Sequence, residues 1–186
     1  MTIRLVLLLC AFAGAALAHV TPPIILTSDR DAITTLLPGA RRHFVHEVRL
    51  TEEERETIQL ESGWRPEEDF YRFYIGRDEQ LQDVGAVAFL TQYTIHGPVR
   101  VAVGLAPDGK IKGALVVELS EETYPWVKTA IDSGLLRSFA GRDAHAPFPR
   151  AAGGSSMSGF YSDIIAGLVR RAALVYEAGV LKRQRR

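Results

Sequence analysis

Sulfur is nearly absent from this sequence: one cysteine, Cys10, occurs in 186 residues. A lone thiol excludes an internal disulfide framework, thiolate zinc sites, cysteine-ligated iron–sulfur clusters and the Cys-x-x-Cys-His attachment of c-type haem. Net charge is absent as well, because 22 Lys and Arg face 22 Asp and Glu. Without a positive excess there is no field to gather phosphates along a backbone, which argues against a role in nucleic-acid binding. The chain carries no Gly-x-Gly-x-x-Gly, no Gly-Lys-Ser/Thr loop, no His-Glu-x-x-His and no Gly-x-Ser-x-Gly. Nucleotide-driven chemistry, zinc proteolysis and a serine-hydrolase elbow therefore have no support. Internal repeats and low-complexity linkers are also missing. With 47% hydrophobic and 24% charged residues, what remains reads as one ordinary globular domain.

The first residues form a three-part export pattern. Met1 to Arg4 supplies a positive charge, residues 5–15 are apolar without an acid, and Ala16-Leu17-Ala18 is a small-x-small cleavage site ahead of His19. The apolar run falls short of the roughly 20 residues that span a bilayer. Cys10 follows Leu7-Leu8-Leu9 rather than a small residue, unlike a lipid-attachment cysteine. The sequence thus predicts a signal peptide over 1–18, an N-terminal lead-in over 19–40 and a domain over 41–186, exported to the periplasm or the outer face of the cytoplasmic membrane. The basic tail, Lys182, Arg183, Arg185 and Arg186, is expected to be solvated.

Periodicity and punctuation predict the elements. Residues 29–37 read as a short helix closing at Pro38-Gly39. Residues 43–50 read as a strand, and Thr51 with Glu54 forms a capping box for a helix ending at Gly63. Residues 69–75 and 84–95 read as strands, with a turn at Gly76-Arg77-Asp78 and a break at Gly97-Pro98. Residues 99–105 and 111–119 flank Ala106-Pro107-Asp108-Gly109, a hairpin signal. A helix begins at Ser120-Glu121-Glu122, is divided near Gly134 and stops at Gly141. A last helix runs to about Leu181, with Ile164, Ile165, Leu168, Val169, Ala172, Val175 and Tyr176 forming an apolar stripe. The fold class this implies is α+β: a mainly antiparallel sheet with helices packed on one side.

The Gly153-Gly154-Ser155-Ser156-Met157-Ser158-Gly159 cluster ahead of that helix is the most informative local feature. Adjacent glycines let backbone approach a ligand, and serine hydroxyls stand where the helix's first N–H groups point outward. The positive end of the helix dipole favours an anion there, so the pattern suits a phosphate.

The hairpin from Gly97-Pro98-Val99 to Val117-Glu118, the segment Leu135-Leu136-Arg137-Ser138-Phe139-Ala140-Gly141 and the Gly-Ser loop opening a C-terminal helix together resemble a known family. It is that of exported FMN-binding domains related to the covalent-FMN subunits of Na+-translocating NADH:quinone oxidoreductase and Rnf complexes. The resemblance spans about residues 41–181. It implies an electron carrier rather than a stand-alone catalyst, with FMN as cofactor, a flavin transferase and a membrane redox complex as partners. The family's Asp-x-x-Ser/Thr-Gly-Ala-Thr-x-Ser motif places the phosphoester acceptor at Ser156, with Gly153, Gly154, Ser155, Met157 and Ser158 around it. Gly154 and Ser158 match the motif, whereas Arg150, Gly153 and Ser155 replace its Asp, Ser/Thr and Ala. The family's acidic stretch near the flavin ring corresponds to Glu118 through Pro125, implying that Glu118, Tyr124 and Trp126 border the isoalloxazine.

Two other readings stay open at this point. One keeps the fold without the flavin, as a partner-binding module of a membrane redox complex. The other makes histidines ligands for haem or a metal, drawing on His43, His46, His96 and His145; on a strand, however, His43 and His46 face opposite sides.

Overall fold

A computed structural model of the protein describes residues 23–148 and 156–184. Residues 1–18, read from sequence as a signal peptide, and Arg150, Gly153, Gly154 and Ser155 lie outside the described residues. Six strands form one antiparallel sheet in the order β1-β6-β5-β4-β3-β2, so the fold is α+β. They are β1 (Pro23–Ile25), β2 (Arg42–Val48), β3 (Tyr71–Arg77), β4 (Asp83–Thr94), β5 (Gly97–Leu105) and β6 (Ile111–Ser120). Strands β2 to β6 follow one another as neighbours, so each connection is a hairpin or a short helical excursion.

Local chemistry sets most element ends. Helix α1 (Asp29–Leu36) is capped by the Ser28 hydroxyl, which accepts from the Asp31 amide. Helix α2 (Glu52–Ser62) carries the complete Thr51/Glu54 capping box and ends on left-handed Gly63. The β5–β6 turn closes with the Gly109 amide donating to the Ala106 carbonyl at 2.9 Å, and with Lys110 N–H donating to Asp108 Oδ1 at 3.1 Å. After a 3-10 turn at Glu121–Thr123, helix α3 (Tyr124–Asp132) and the single turn α4 (Leu135–Ser138) are separated at left-handed Gly134. Helix α5 (Ser156–Tyr176) then runs for 21 residues, widens to a π-helical turn at Glu177–Leu181, and finishes as α6 (Lys182–Gln184).

One face of the sheet holds the main core. Phe73, Ile75, Val99, Val101, Val103 and Leu119 from the strands meet Tyr161, Ile165, Leu168, Val169 and Ala172 of α5, with Val127, Leu135 and Ile58 from the other helices. The opposite face is covered by α1, whose Ala32 and Leu36, with the following Leu37, pack on Val87, Ala102 and Val117. The lead-in is therefore integral: β1 pairs with β6 and α1 covers the reverse face, so the folded unit takes in residues from Pro23 rather than from Arg41.

Three local expectations are corrected. Gly76 lies inside β3, and the reversal falls later, where the Asp78 carboxylate accepts the Gln80 and Gln82 amides, both at 2.9 Å. Gly97-Pro98 opens β5 instead of breaking the sheet, with Pro98 opposite Tyr93. The described part of the basic tail is docked rather than merely solvated, because Arg183 donates to Glu54 and to the Arg49 carbonyl at 2.6 Å each, and Lys182 pairs with Glu177 at 3.3 Å.

Candidate functional site at the amino end of the last helix

The first turns of helix α5 meet the tip of the hairpin between β4 and β5, the two central strands of the sheet. Thr94 and Gly97 are cross-strand partners, leaving Ile95 and His96 as a two-residue turn. Gly97 has φ +104°, which a β-carbon would strain, and such a β-carbon would lie 2.8 Å from Ser120 Cβ. The Thr94 hydroxyl donates to the Gly97 carbonyl at 2.8 Å and accepts the His96 amide at 3.1 Å. It also meets the Tyr161 hydroxyl at 3.2 Å, which ties the hairpin to α5. From the side, Ser120 Oγ donates to the His96 carbonyl, and Thr123 Oγ1 donates to the Ser120 carbonyl at 3.0 Å.

Above this hydroxyl network is a stack of rings. Trp126 lies nearly parallel to Tyr161, with centroids 5.6 Å apart and planes at 12°. His96 meets Trp126 edge-on at 5.1 Å, and Phe160 meets Tyr161 edge-on at 5.3 Å. His96 Nδ1 and Glu122 Oε1 are 2.7 Å apart; since the carboxylate can only accept, Nδ1 carries the proton. Apolar groups face water at the same end: Ile95 is 95% exposed, Tyr93 77% and Phe160 49%. Ser156, at the start of α5, is exposed, Met157 packs partly into the core, and Ser158 is buried, its carbonyl accepting from Ser162 Oγ at 2.7 Å.

Of the residues singled out from sequence, Ser156, Met157, Ser158 and Trp126 belong to this end of the molecule. Gly153, Gly154 and Ser155 lie outside the described residues. Tyr124 and Trp126 do not border one ring: Tyr124 lines a separate hollow of about 410 Å³ with Leu26, Lys128 and Ile131. Glu118 is on the other side of the sheet. A bulge between Arg100 and Val101 makes Arg100 the partner of Glu118 and Val101 the partner of Val116. That places Glu118 beside Arg100, whose guanidinium covers the reverse-face ring of Phe89 at 4.6 Å.

Thr94, Tyr161, Phe160 and Ile95 were not singled out by sequence. The Phe160-Tyr161 pair, directly after the Gly-Ser-rich stretch of the sequence, was the available signal. For a flavin, the phosphate end fits, since an exposed serine opens a long helix. Among the described residues, Phe160 and Ile95 present exposed apolar surface on the outer side, while Trp126 and Tyr161 each turn one face to the other. Among the described residues no group of three or more His, Cys, Asp or Glu side chains comes together to hold a metal, and no helix is long and apolar enough to cross a membrane. No known protein-family model matches the chain, and no curated protein matches it.

Proposed function

We propose that the protein is an exported electron-transfer protein that binds FMN at the amino end of α5, with Ser156 as the phosphate anchor and, where a flavin transferase acts, as its ester acceptor. The observation that carries this reading is the exposed hydroxyl of Ser156 at the start of a 21-residue helix, beside a fixed set of rings. The helix dipole and the first-turn amides of Ser156 and Met157 attract a phosphate. Phe160 and Ile95 offer an apolar surface to a planar ring. The Trp126–Tyr161 stack and the Thr94–Tyr161 hydrogen bond keep that surface in place. When bound, FMN supplies one- and two-electron transfer, while the protein contributes position and electrostatics.

A second reading has its own support. The exposed Ile95, Tyr93 and Phe160 suit a flavin-free module that docks this end onto a membrane redox complex.

The test is expression for export together with a flavin transferase, followed by denaturation, intact mass and in-gel fluorescence on the wild type and Ser156→Ala. The expected result is FMN that stays attached to the wild type and is lost in the variant. Flavin released on denaturation would leave a non-covalent flavoprotein. A colourless protein would overturn the flavin reading in favour of the docking module, and a Soret band or bound metal would favour the histidines.

A further inference from the structure

A groove of about 610 Å³ runs between the middle of α5 and strands β3 and β4, within the size range of small-molecule sites. Its walls include Trp64, Tyr71 and Gln92 on one side and Leu168, Arg171 and Ala172 of α5 on the other. Arg171 is fifteen positions along α5 from Ser156, about 22 Å at 1.5 Å per residue. The groove is thus separate from the flavin reading and does not depend on it.

Two polar groups in this groove lack the partners that burial ordinarily demands. Tyr71 is only 8% exposed, and its buried hydroxyl has no hydrogen-bond partner among the described residues. The Glu68 backbone is close enough to act on the phenol but does not reach hydrogen-bond geometry. Burial pushes the phenol pKa up to about 12, so it is a donor at neutral pH. Arg171 donates through Nη1 to Gln92 Oε1 at 2.8 Å and lies 5.1 Å from the centroid of the Trp64 ring. Among the described residues no carboxylate pairs with it. The other two arginines of the groove are neutralised, Arg72 by Glu47 at 3.1 Å and Arg65 by Glu52. Burial holds the Arg171 pKa below its ordinary value, which is the mark of a cation desolvated without a counter-ion.

The same indole joins the two groups, because Trp64 meets Tyr71 edge-on at 6.4 Å and is the ring that Arg171 covers. One uncompensated cation with a neutral donor beside it matches a single negative charge. Glu67 and Glu68 at the rim disfavour a dianion. Trp64, Phe70 and Leu90, each partly exposed, offer an apolar surface to the body of the ligand.

We propose that this groove binds a small monocarboxylate with an aromatic or aliphatic body, its carboxylate held by the Arg171 guanidinium and the Tyr71 hydroxyl. The guanidinium fork is the side chain best matched to a carboxylate, and the phenol gives a third donor.

The test uses the purified full chain, titrated with phenylacetate, indole-3-acetate and octanoate while the Arg171 Nε–H and Trp64 Nε1–H resonances are followed. Phenylacetamide is the uncharged control and phenyl phosphate the dianion. The expected result is a saturable shift of both resonances with at least one carboxylate, and binding of phenylacetamide at least about tenfold weaker. Arg171→Gln abolishes the shift at Trp64, and Tyr71→Phe weakens binding at least about fivefold. Should Arg171→Gln fail to fold, the amide control on the wild type and the Tyr71→Phe variant decide alone. The proposal is overturned if none of the three carboxylates saturates by about 10 mM. Phenylacetamide binding equally well, a preference for phenyl phosphate, or unchanged affinity in Tyr71→Phe would also overturn it.

Discussion

Removing a tyrosine hydroxyl should have opposite effects at two positions in this fold. Tyr71 and Tyr161 are both buried on the α5 side of the sheet. The Tyr161 hydroxyl is bonded to Thr94, whereas that of Tyr71 has no partner among the described residues. A buried polar group left unpaired costs about 1–3 kcal/mol, while a made neutral hydrogen bond contributes about 0.5–1.5 kcal/mol. Tyr71→Phe keeps the ring in its packing and removes the orphan, so it should stabilise by about 1 kcal/mol, or about 2–4 °C in Tm for a domain of this size. Tyr161→Phe loses a bond but leaves the Thr94 hydroxyl satisfied by the Gly97 carbonyl and the His96 amide, so it should cost only about 0.5–1.5 kcal/mol. Breaking the same bond from the other side is worse. Thr94→Val strips the buried Tyr161 hydroxyl of its partner and also frees the His96 amide, for about 1–3 kcal/mol, and Thr94→Val with Tyr161→Phe should recover part of that. Urea denaturation of the four variants, compared at constant m-value, reads all of these effects. Destabilisation of Tyr71→Phe by about 1 kcal/mol or more would refute the reasoning. The hydroxyl would then have a partner in solution, and the strongest argument for the carboxylate groove would go with it.

The carboxyl end of α5 and the reverse face give two further expectations. A β-carbon at Gly179, in the π-helical turn, would overlap Val48 Cγ1 and sit 3.3 Å from Val48 Cβ. Gly179→Ala should therefore be destabilising by about 1–2 kcal/mol, although alanine is the better helix former by about 0.5–1 kcal/mol; a more stable variant in thermal denaturation would mean that β2 yields freely. On the other face, Arg100 grips Asp29 with Nη1 at 2.6 Å and Nη2 at 2.8 Å, and this hydrogen bonding, opposed by burial, holds the Asp29 pKa below 3.8. A carboxylate whose folded pKa is lowered stabilises the fold above its unfolded value and loses that contribution as pH falls through the folded one. Asp29 is 47% exposed, so the pair is worth no more than about 1 kcal/mol. Asp29→Asn should lose about that much at pH 7 and converge with the wild type as pH drops below 3.8, whereas a gap that stays constant with pH would show that charge is not the cause.

What the sequence made legible was what neighbouring residues settle among themselves. The Thr51 and Glu54 side chains close the capping box on each other's amides, and Asp108-Gly109 supplies its own turn chemistry, so both were readable locally. Gly76 was misread because its surroundings come from elsewhere: a β-carbon there would lie 2.8 Å from Ala40 Cβ and 3.0 Å from Leu37 Cδ1, both from the lead-in. Strand β1 is three residues long and owes its existence to pairing with Ser120, Leu119 and Glu118, so no local pattern could announce it. The face of Glu118 was hidden for a sharper reason. Strict alternation from Val116 would put Glu118 toward α5, but the extra residue at Val117 turns it to the reverse face, and a single-residue slip exchanges the two sides. The Gly153–Gly159 cluster reads from sequence as lying ahead of the last helix, whereas Ser156 to Gly159 form the first turn of α5, because glycine and serine there weaken the helical pattern without breaking it. The union of Tyr71 with Arg171 is not written in any window of the chain.

Both candidate sites use α5, and its far end explains why that helix can serve as their fixed wall. Arg183 joins it to Glu54, the acid of the α2 capping box, with Nη2 at 2.6 Å, and also to the Arg49 carbonyl. Burial raises the Glu54 pKa, but the Arg183 hydrogen bond and the Thr51 contacts outweigh it and hold the carboxyl below its usual range. At the other end, Tyr161 is bonded to the hairpin and stacked on Trp126. A helix tied at both ends, with its middle buried on the sheet, gives little when a ligand arrives. Accommodation must then come from what faces it. At the groove, that is the 63–70 connection carrying Trp64, which Arg55 holds through the Pro66 and Glu68 carbonyls. At the amino end, it is the exposed Ile95 and Phe160 side chains. Ligand-induced shifts should accordingly appear in residues 63–70 for a carboxylate and at residues 93–97 and 160 for a flavin or a docking partner, with the α5 backbone from 164 to 176 unchanged in both cases. A shared response along the helix would instead mean that the two sites are one coupled unit.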